Sequence, residues 1–340
     1  MFDLSSLAWR VLSLASLALW ALAITSAARA DVFNMPSGDT SLSFVQVGDP
    51  GNAPDTDGLG SVAYTYSIGT YDITSAQYCA MLNAVAATDP YGLYNPNMGP
   101  AVGQPGIMRS GTVGNYTYSV ASGYANFPVS EVSWGDAARF CNWLANGQPA
   151  TGVENAATTE AGSYALNGAL TDQQLNLVTR APAAVYVIPS ENEWYKAAYY
   201  KSGSPNAGYW LFPTQSNTPP SNILTATGTN NANFYDPVAG YTDGGPTPVG
   251  IFTDSPGPYG TFDQGGDVYQ WTEGALPDQR VVLGGAWNAD VIYLESSESQ
   301  GMPPSVYEPN VGFRVVEVPE PGSLSLLALW SAMLLRRRRA

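Results

Sequence analysis

Three stretches near the C-terminal end of this chain decide its fold: GGDVYQWTE (Gly265–Glu273), VVLGGAW (Val281–Trp287) and NVGFRVVEV (Asn310–Val318). Two further stretches precede them, VSWGDAARFCNWL (Val132–Leu144) and IPSENEWYKAA (Ile188–Ala198). Their order, the paired glycines and the spaced tryptophans carry more information together than any one of these words does alone.

Taken in order, these words resemble the formylglycine-generating enzyme family, also called the sulfatase-modifying factors. Members of that family carry words close to VSW-DA-YC-W, LP-E-EWE-AA, GNVWEW, RGGSW and GFR. The similarity extends from about Ser43 to Val318. It implies a C-type-lectin-like α+β fold, which composition alone does not predict.

Three helices are predicted independently of the resemblance. Thr74-x-x-Gln77, Ser133-x-x-Asp136 and Ser190-x-x-Glu193 each place a capping hydroxyl three residues before an acceptor side chain. Apolar residues at helical spacing follow each cap, so the aromatic residues among them are interpreted as core. These stripes are Tyr78, Met81, Leu82 and Val85; Ala137, Phe140, Cys141 and Leu144; and Trp194, Ala197 and Ala198.

Short strands between long loops account for much of the remaining sequence. Their composition is rich in β-branched and aromatic residues, and Gly, Pro, Asn and Ser separate them. Few helices, short strands and ordered loops indicate an α+β domain. The predicted strands are Ala63–Ile68, Tyr116–Val120, Val185–Ile188, Val281–Leu283 and Phe313–Val318.

Composition excludes several classes of chemistry. The 340 residues are 45% hydrophobic, enough for one large domain, but they contain no histidine. Catalysis by Ser-His-Asp or Cys-His and histidine-ligated metal centres are therefore excluded. When Arg10, Arg29 and Arg336–Arg339 are set aside together with Asp3, the chain has seven basic and 27 acidic residues. The net charge of this part is therefore about −20. A protein body with this charge repels nucleic acids and anionic membranes. It is suited to binding cations, or else the charge simply forms a solvated acidic surface.

The N-terminal segment has the parts of a secretory signal peptide. Arg10 precedes an apolar run from Val11 to Ile24, and Ala28-Arg29-Ala30 is a small-residue cleavage site. We therefore expect residues 1–30 to be removed after Ala30. An uncleaved anchor is the alternative, although the run is shorter than the about 20 residues of a membrane span.

The C-terminal segment, residues 319–340, resembles a PEP-CTERM sorting signal. Pro319-Glu320-Pro321 is followed by an apolar stretch, Gly322–Leu335, and by Arg336–Arg339. The resemblance implies transient membrane anchoring through a short helix and processing by an exosortase-type enzyme in a Gram-negative-type envelope. The body, residues 31–318, would then reach the cell surface, outer envelope or extracellular matrix. A plain tail anchor is the alternative.

The resemblance also places the family's catalytic site. There, oxidation of a substrate cysteine depends on two copper(I)-binding cysteines shortly after the RGGSW-like word. Aligned on Gly284–Trp287, those positions are Ala289 and Leu294, and Asn288–Gln300 contains no Cys, His or Met. Since copper(I) requires soft ligands, the oxidase site is interpreted as absent and no copper is expected. Glu295–Gln300 is read as a solvated loop or, alternatively, a rebuilt groove.

The two cysteines of the chain, Cys79 and Cys141, lie on the first two predicted helices. An oxidising compartment permits a disulfide between them, and a pair of buried inert thiols is the alternative.

Structural calcium is the cofactor that the resemblance implies. One family site maps onto the side chains of Asp263 and Gln270, with the carbonyls of Gly266 and Val268. Oxygen ligands of these kinds suit Ca²⁺. Alternatively, Asp263 is simply a turn-forming residue.

A second family calcium site maps less closely because the intervening loop differs in length. Its side-chain ligands would be Asn233 and Asp243, with carbonyls from Phe234 and Gly245.

Two functions remain open at this point. The first is an exported, non-catalytic module that binds a glycan, a peptide or a matrix component through its aromatic-rich surface. The second is an enzyme with residual formylglycine-type activity, or one built on carboxylates such as Glu191 and Glu193. A helix-capping role already accounts for Glu193 without any catalytic role. A binding function is therefore the leading interpretation.

Overall fold

The three predicted helices begin at their predicted caps. The computed structural model describes residues 42–203, 207–224 and 228–319, and its helices are α1 (Ser75–Val85), α2 (Trp134–Ala145), α3 (Asp172–Asn176) and α4 (Glu191–Tyr199). At α1 the Thr74 hydroxyl accepts from the Gln77 N–H, and the Gln77 side chain accepts from the Thr74 N–H. The same reciprocal pair caps α2 and α4, and each cap contributes about 1 kcal/mol.

Helix α3 was not predicted, although it uses the same device. Thr171 and Gln174 form its capping box, but the helix has five residues and only Leu175 is buried. A helix this short shows no apolar periodicity, which is the signal that supported the other three.

The strands are short, and each of the five predicted stretches overlaps one of them. The described residues also contain two 3₁₀ turns, Pro96–Met98 after α1 and Val291–Leu294 in the loop that follows Leu283. The strands are β1 (Phe44–Val47), β2 (Tyr66–Gly69), β3 (Ile107–Ser110), β4 (Thr117–Val120), β5 (Tyr186–Val187), β6 (Tyr200–Lys201), β7 (Gly208–Tyr209), β8 (Tyr235–Asp236), β9 (Gly240–Tyr241), β10 (Tyr269–Leu276), β11 (Gln279–Leu283), β12 (Gln300–Met302), β13 (Val311–Gly312) and β14 (Val316–Glu317).

Two sheets organise the domain. The first has the order β1-β2-β14-β5 with antiparallel pairs, so the last strand pairs with the second. The second has the order β12-β11-β10-β13, in which only β10 and β13 are parallel. A register shift between Trp271 and Ala275 interrupts the β10–β11 ladder. Small hairpins β3–β4, β6–β7 and β8–β9 lie outside these sheets.

Tryptophans link the words of the sequence to one another across the core. The Trp134 indole donates to the carbonyl of Thr272 (2.9 Å), and the Trp271 indole donates to that of Val132 (3.0 Å). This reciprocal pair joins the start of α2 to β10. Trp134, Trp194 and Trp271, which each lie within one of these words, are all fully buried. The spacing of the tryptophans therefore reflects contacts between distant parts of the chain.

The apolar stripes of the helices form the core, as predicted. Tyr78, Phe140 and Phe313 pack together with ring centroids 5.4–6.4 Å apart. Helix α2 ends at Ala145, where Asn146 caps it and Gly147 adopts a left-handed φ of 79°. This Asn-Gly pair ends the helix.

Both predicted targeting segments lie almost wholly outside the described residues. Cleavage after Ala30 and the Glu320-Pro321 part of the sorting motif fall there, and only Pro319 is described. Within the described part of the chain, no helix combines the length and apolar character needed to cross a membrane.

Candidate functional site

The loop after β11 depends on two glycines. Gly284 and Gly285 have φ values of 97° and 74°, a region that favours glycine. A Cβ on Gly284 would lie 2.5 Å from the Gln264 carbonyl oxygen, and one on Gly285 would lie 2.6 Å from Leu294 Cδ1. The Gly-Gly pair thus allows the chain to turn in close contact with the loop that contains Ala289 and Leu294, the positions of the family's two cysteines.

Both of those positions are buried and apolar. Ala289 is 9% exposed, and Leu294 is fully buried in a cluster with Phe212, Ala232 and Phe234. Asp290 caps the intervening 3₁₀ turn by accepting from the Ile292 N–H (3.2 Å). Leu294 therefore belongs to the core, and neither side chain offers a metal ligand.

The acidic stretch that follows is a surface loop. Residues 295–299 form a turn, with Ser297 and Ser299 exposed, and Gln300 begins the edge strand β12. The loop interpretation of Glu295–Gln300 describes its conformation.

The disulfide prediction is not met, because both cysteines are free buried thiols. Cys79 Sγ lies 3.6 Å from the Asn83 side-chain nitrogen. Burial raises the pKa of Cys79 to about 11 and raises that of Cys141 well above its usual range. Protonated thiols in the core are poor nucleophiles and poor metal ligands, so the alternative of inert thiols describes the structure.

The Glu191/Glu193 pair does not form an acid–base site. Glu193 is fully buried and binds Arg180 Nη2 (2.7 Å) and the Tyr64 hydroxyl (2.6 Å) while it caps α4. Burial opposes its ionisation, but Arg180 outweighs that effect and lowers the pKa of Glu193. Glu193 is therefore a paired structural carboxylate.

Arg314, of the GFR word, occupies the centre of the region predicted to hold the first calcium. Its Nε donates to Gln270 Oε1 (3.1 Å), and its two terminal nitrogens donate to the carbonyls of Gly69 and Phe262 (2.6 Å each). Asp72 lies 3.3 Å from Nη2. Although Arg314 opposes the shift, burial raises the pKa of Asp72 to about 8.

The first predicted calcium set therefore does not fit a cation. Gln270 Oε1 also accepts from the Trp194 indole (2.6 Å), and its amide nitrogen donates to the Asp263 carbonyl (2.8 Å). Asp263 Oδ2 accepts from the Gly250 N–H (2.6 Å), and the φ of Asp263 is 58°. With Gln270 fully engaged and a guanidinium beside it, the alternative of Asp263 as a turn residue agrees better with the geometry. Gly266 and Val268 are buried in the same segment.

The second predicted set is brought together in part. Asn233 is buried, and its amide nitrogen donates to the carbonyl of Gly245 (3.0 Å) and to Asp267 Oδ1 (2.9 Å). The Phe234 carbonyl accepts from Asn222 (3.2 Å). Asp243 is exposed and stands apart from the buried groups.

Asp267, which the sequence analysis did not select, replaces Asp243 in this arrangement. Its Oδ1 also accepts from the Thr247 N–H (2.7 Å). Its Oδ2 and the Asn233 side-chain oxygen are both buried without a hydrogen-bond partner. Burial, followed by the nearby Asp263, raises the pKa of Asp267 well above its usual range. The sequence offered one signal for this residue: Asp267 is an acidic residue that directly follows Gly265-Gly266, within a stretch of buried residues.

The oxygen atoms around Asn233 and Asp267 are chemically suited to coordinate calcium, but they do not form a cage of carboxylates. No group of three or more carboxylate or cysteine side chains in the described ranges is placed to hold a metal ion. An ion at Asn233 and Asp267 would therefore depend on amide and carbonyl oxygens for its remaining ligands.

Comparison with solved structures finds similar folds at low sequence identity. Treponema denticola variable protein 1 superposes with a TM-score of 0.53 at 18% identity, covering 85% of this chain and 99% of that one. PvdO from Pseudomonas aeruginosa gives 0.47 at 18% identity, with 85% and 98% covered. CarF gives 0.48 at 17% identity, with 82% and 99% covered. Comparison with curated protein sequences finds no match.

A family model settles the assignment that the words of the sequence indicated. The model for the sulfatase-modifying factor enzyme 1-like domain matches residues 52–318, most of the chain and nearly all of its described part. The α+β architecture of few helices and short strands agrees with it. The chain therefore belongs to the sulfatase-modifying factor enzyme 1-like domain family.

Proposed function

We propose that this protein is an exported, non-catalytic binding module that keeps the family's scaffold without its oxidase site. The observation that carries the proposal is the packing of Leu294, which is fully buried against Phe212, Ala232 and Phe234. A side chain that fills the core at this position leaves no space for a copper ligand there. Ala289, the partner position, is equally unable to coordinate.

No other group in the described chain is a substitute for the missing thiolates. Cys79 and Cys141 are buried thiols with raised pKa values, and they lie on α1 and α2. Since histidine is absent from the whole sequence, an imidazole site is also excluded. Binding without covalent chemistry is what the remaining aromatic and amide groups support.

Copper(I) competition tests this proposal. The purified protein, titrated against a colorimetric copper(I) chelator, should remove no metal, because copper(I) needs accessible thiolates. The double variant Ala289→Cys/Leu294→Cys is the positive comparison if it folds, and the single variant Ala289→Cys is the control. Stoichiometric copper(I) uptake by the unsubstituted protein would overturn the proposal.

Export and sorting complete the proposed role. The signal-peptide features ending at Ala30 and the Pro319-Glu320-Pro321 tail support secretion and processing by an exosortase-type enzyme. The acidic body supports a location away from nucleic acid. The protein would then act at the cell surface, in the outer envelope or in the extracellular matrix.

We further propose that a structural calcium ion binds between Asn233 and Asp267. Its support is the pair of buried oxygens, Asn233 Oδ1 and Asp267 Oδ2, that have no hydrogen-bond donor. Burying a carboxylate oxygen without a hydrogen-bond donor is unfavourable, and a cation at Asp267 Oδ2 would compensate for it. The ion would tie the segment before β8 to the turn that leads into β10.

Thermal unfolding with calcium and with chelator tests the calcium proposal. Calcium at about 100 times its Kd should stabilise the protein by about 2.7 kcal/mol. Asp267→Asn should abolish that increment and, in chelator, be neutral or stabilising, because it keeps the oxygen that accepts from Thr247 and removes a buried carboxylate oxygen without a donor. Asp243→Asn, on the surface, is the control and should keep the full increment. Identical melting of the unsubstituted protein with calcium and with chelator would contradict the proposal.

A further inference from the structure

Three aromatic side chains form a continuous surface beside the Ala289 loop. The ring centroids of Tyr235 and Tyr241 are 4.8 Å apart, and those of Tyr241 and Trp287 are 5.7 Å apart. Tyr241 is 52% exposed, and the other two rings are half-buried. Together with Asn288 and Asn310, these three residues are called the aromatic surface below.

The aromatic surface is held firmly by the backbone. The Tyr235 N–H donates to the Ala289 carbonyl (2.9 Å), and the Trp287 N–H donates to that of Asp267 (2.9 Å). Gly103 passes directly against the indole, since a Cβ there would lie 3.0 Å from Trp287 Cζ2. Rings fixed in advance lose little conformational entropy when a ligand binds.

Polar groups suited to hydroxyl ligands border the rings. Asn288, exposed and adjacent to Trp287, accepts from the Asn310 amide nitrogen (2.9 Å). This bond leaves the amide nitrogen of Asn288 and the amide oxygen of Asn310 available as a donor and an acceptor. The Trp287 Nε1 is buried beneath the surface and is not one of these groups.

The charge distribution favours a neutral ligand. A body with a net charge of about −20 disfavours anions. Of the carboxylates close to the rings in sequence, Asp236 accepts from the Val238 and Ala239 N–H groups and Asp290 caps its 3₁₀ turn, whereas Asp243 is exposed. Rings in mutual contact leave no cage that encloses a cation, so a cation would stack only on an exposed face such as that of Tyr241.

We propose that the aromatic surface binds a neutral oligosaccharide. A pyranose ring has an apolar face that stacks on tyrosine and tryptophan, and hydroxyls that pair with amide donors and acceptors. The proposal rests on the binding role proposed above and names the ligand class for it. Tyr241 supplies the exposed stacking face, and Asn288 with Asn310 supplies the hydroxyl contacts.

Calorimetry with defined oligosaccharides tests the proposal. The probes are neutral hexasaccharides of β-1,4-glucose, α-1,4-glucose and β-1,4-N-acetylglucosamine, with hexagalacturonate and hexalysine as charged comparisons. At least one neutral probe should bind. Tyr241→Ala should then weaken it about tenfold, Tyr241→Phe should retain it, and Asn288→Ala should weaken it severalfold.

A matched aromatic substitution outside the surface controls for nonspecific effects. Trp210, a half-buried indole stacked on Lys201 with a nitrogen-to-centroid distance of 4.6 Å, serves this purpose, and Trp210→Ala should bind like the unsubstituted protein. Circular dichroism of every variant establishes that each one folds.

Three results would overturn the inference: no binding of any neutral probe at millimolar concentration, unchanged binding by Tyr241→Ala, or preferential binding of a charged probe. None of these results restores a copper site, so the non-catalytic role would stand. Copper(I) uptake by the unsubstituted protein would instead overturn that role, whatever the oligosaccharides do.

Discussion

At the residue scale, Glu154 stands out among the described carboxylates because neither of its oxygens is supported by its surroundings. It is 7% exposed, and neither of its oxygens has a hydrogen-bond partner. Burial raises the pKa of Glu154 to about 8, Asp89 and other carboxylates nearby add to the rise, and Arg139 opposes it. Arg139 itself is committed to Glu160 at 2.7 Å.

This environment predicts a specific pH dependence. The folded state holds the Glu154 proton up to about pH 8, whereas the unfolded chain releases it near pH 4.5, so stability falls as the pH rises between these values. Glu154→Gln should therefore raise the free energy of unfolding by about 1–3 kcal/mol near pH 9 and change it little near pH 4.

Urea denaturation at the two pH values measures this difference. Glu298→Gln, in the surface loop, is the matched control and should leave the stability difference between the two pH values unchanged. A Glu154→Gln variant that is less stable than the unsubstituted protein near pH 9 would contradict the assignment.

Individual site residues were harder to predict than the words that contain them. Gln270 and Asp263 were selected as ligands, yet Arg314 and the Trp194 indole bind Gln270 instead. Asp267 was missed because its burial depends on Asn233 and Thr247, which are 34 and 20 residues away. A long-range contact of this kind leaves no mark in local composition.

At the element scale, the Gly284-Gly285 turn determines where the loop with Ala289 and Leu294 lies. Gly285→Ala should destabilise the protein by about 2–5 kcal/mol, because it combines an unfavourable φ with overpacking. The added Cβ would meet Leu294 Cδ1 at 2.6 Å and the Tyr293 carbonyl oxygen at 3.1 Å.

Gly147→Ala separates these two effects. Gly147 has a similar φ of 79°, but a Cβ there would meet nothing within 4 Å. Its substitution should therefore show only the backbone strain, about 1–2 kcal/mol. Equal losses from the two substitutions in chemical denaturation would show that the packing of Leu294 does not constrain the turn.

Helices were predictable because two local signals coincide in each of them. The capping boxes at Thr74, Ser133 and Ser190 each precede an apolar stripe. The capping box at Thr171 instead precedes a helix of only five residues, which has no such stripe. The strands were less predictable because many have only two residues. Their pairing is determined by partners far along the chain, as where β14 joins β2 and β5.

At the scale of the whole molecule, the sequence words predicted the fold, and the family model confirms it over residues 52–318. The match ends one residue after β14, the strand that pairs with β2. Fold and site depend on different residues, so membership of the family does not by itself bring the family's chemistry.

Export predicts a defined mature chain. Protein recovered from the envelope or culture medium should begin at Asp31, since the cleavage motif ends at Ala30. N-terminal sequencing measures this directly. Replacing Arg336–Arg339 with alanine should also alter C-terminal processing. A chain that begins at Met1, or an unchanged set of processed forms, would contradict the corresponding segment's assignment.

The most direct test of the non-catalytic account is an activity measurement. The purified protein is incubated with a Cys-x-Pro-x-Arg peptide, copper and a reductant, and the peptide is analysed by mass spectrometry for formylglycine. With Ala289 and Leu294 at the two ligand positions, we expect the cysteine to remain unconverted. Copper-dependent formylglycine formation by the unsubstituted protein would contradict the account.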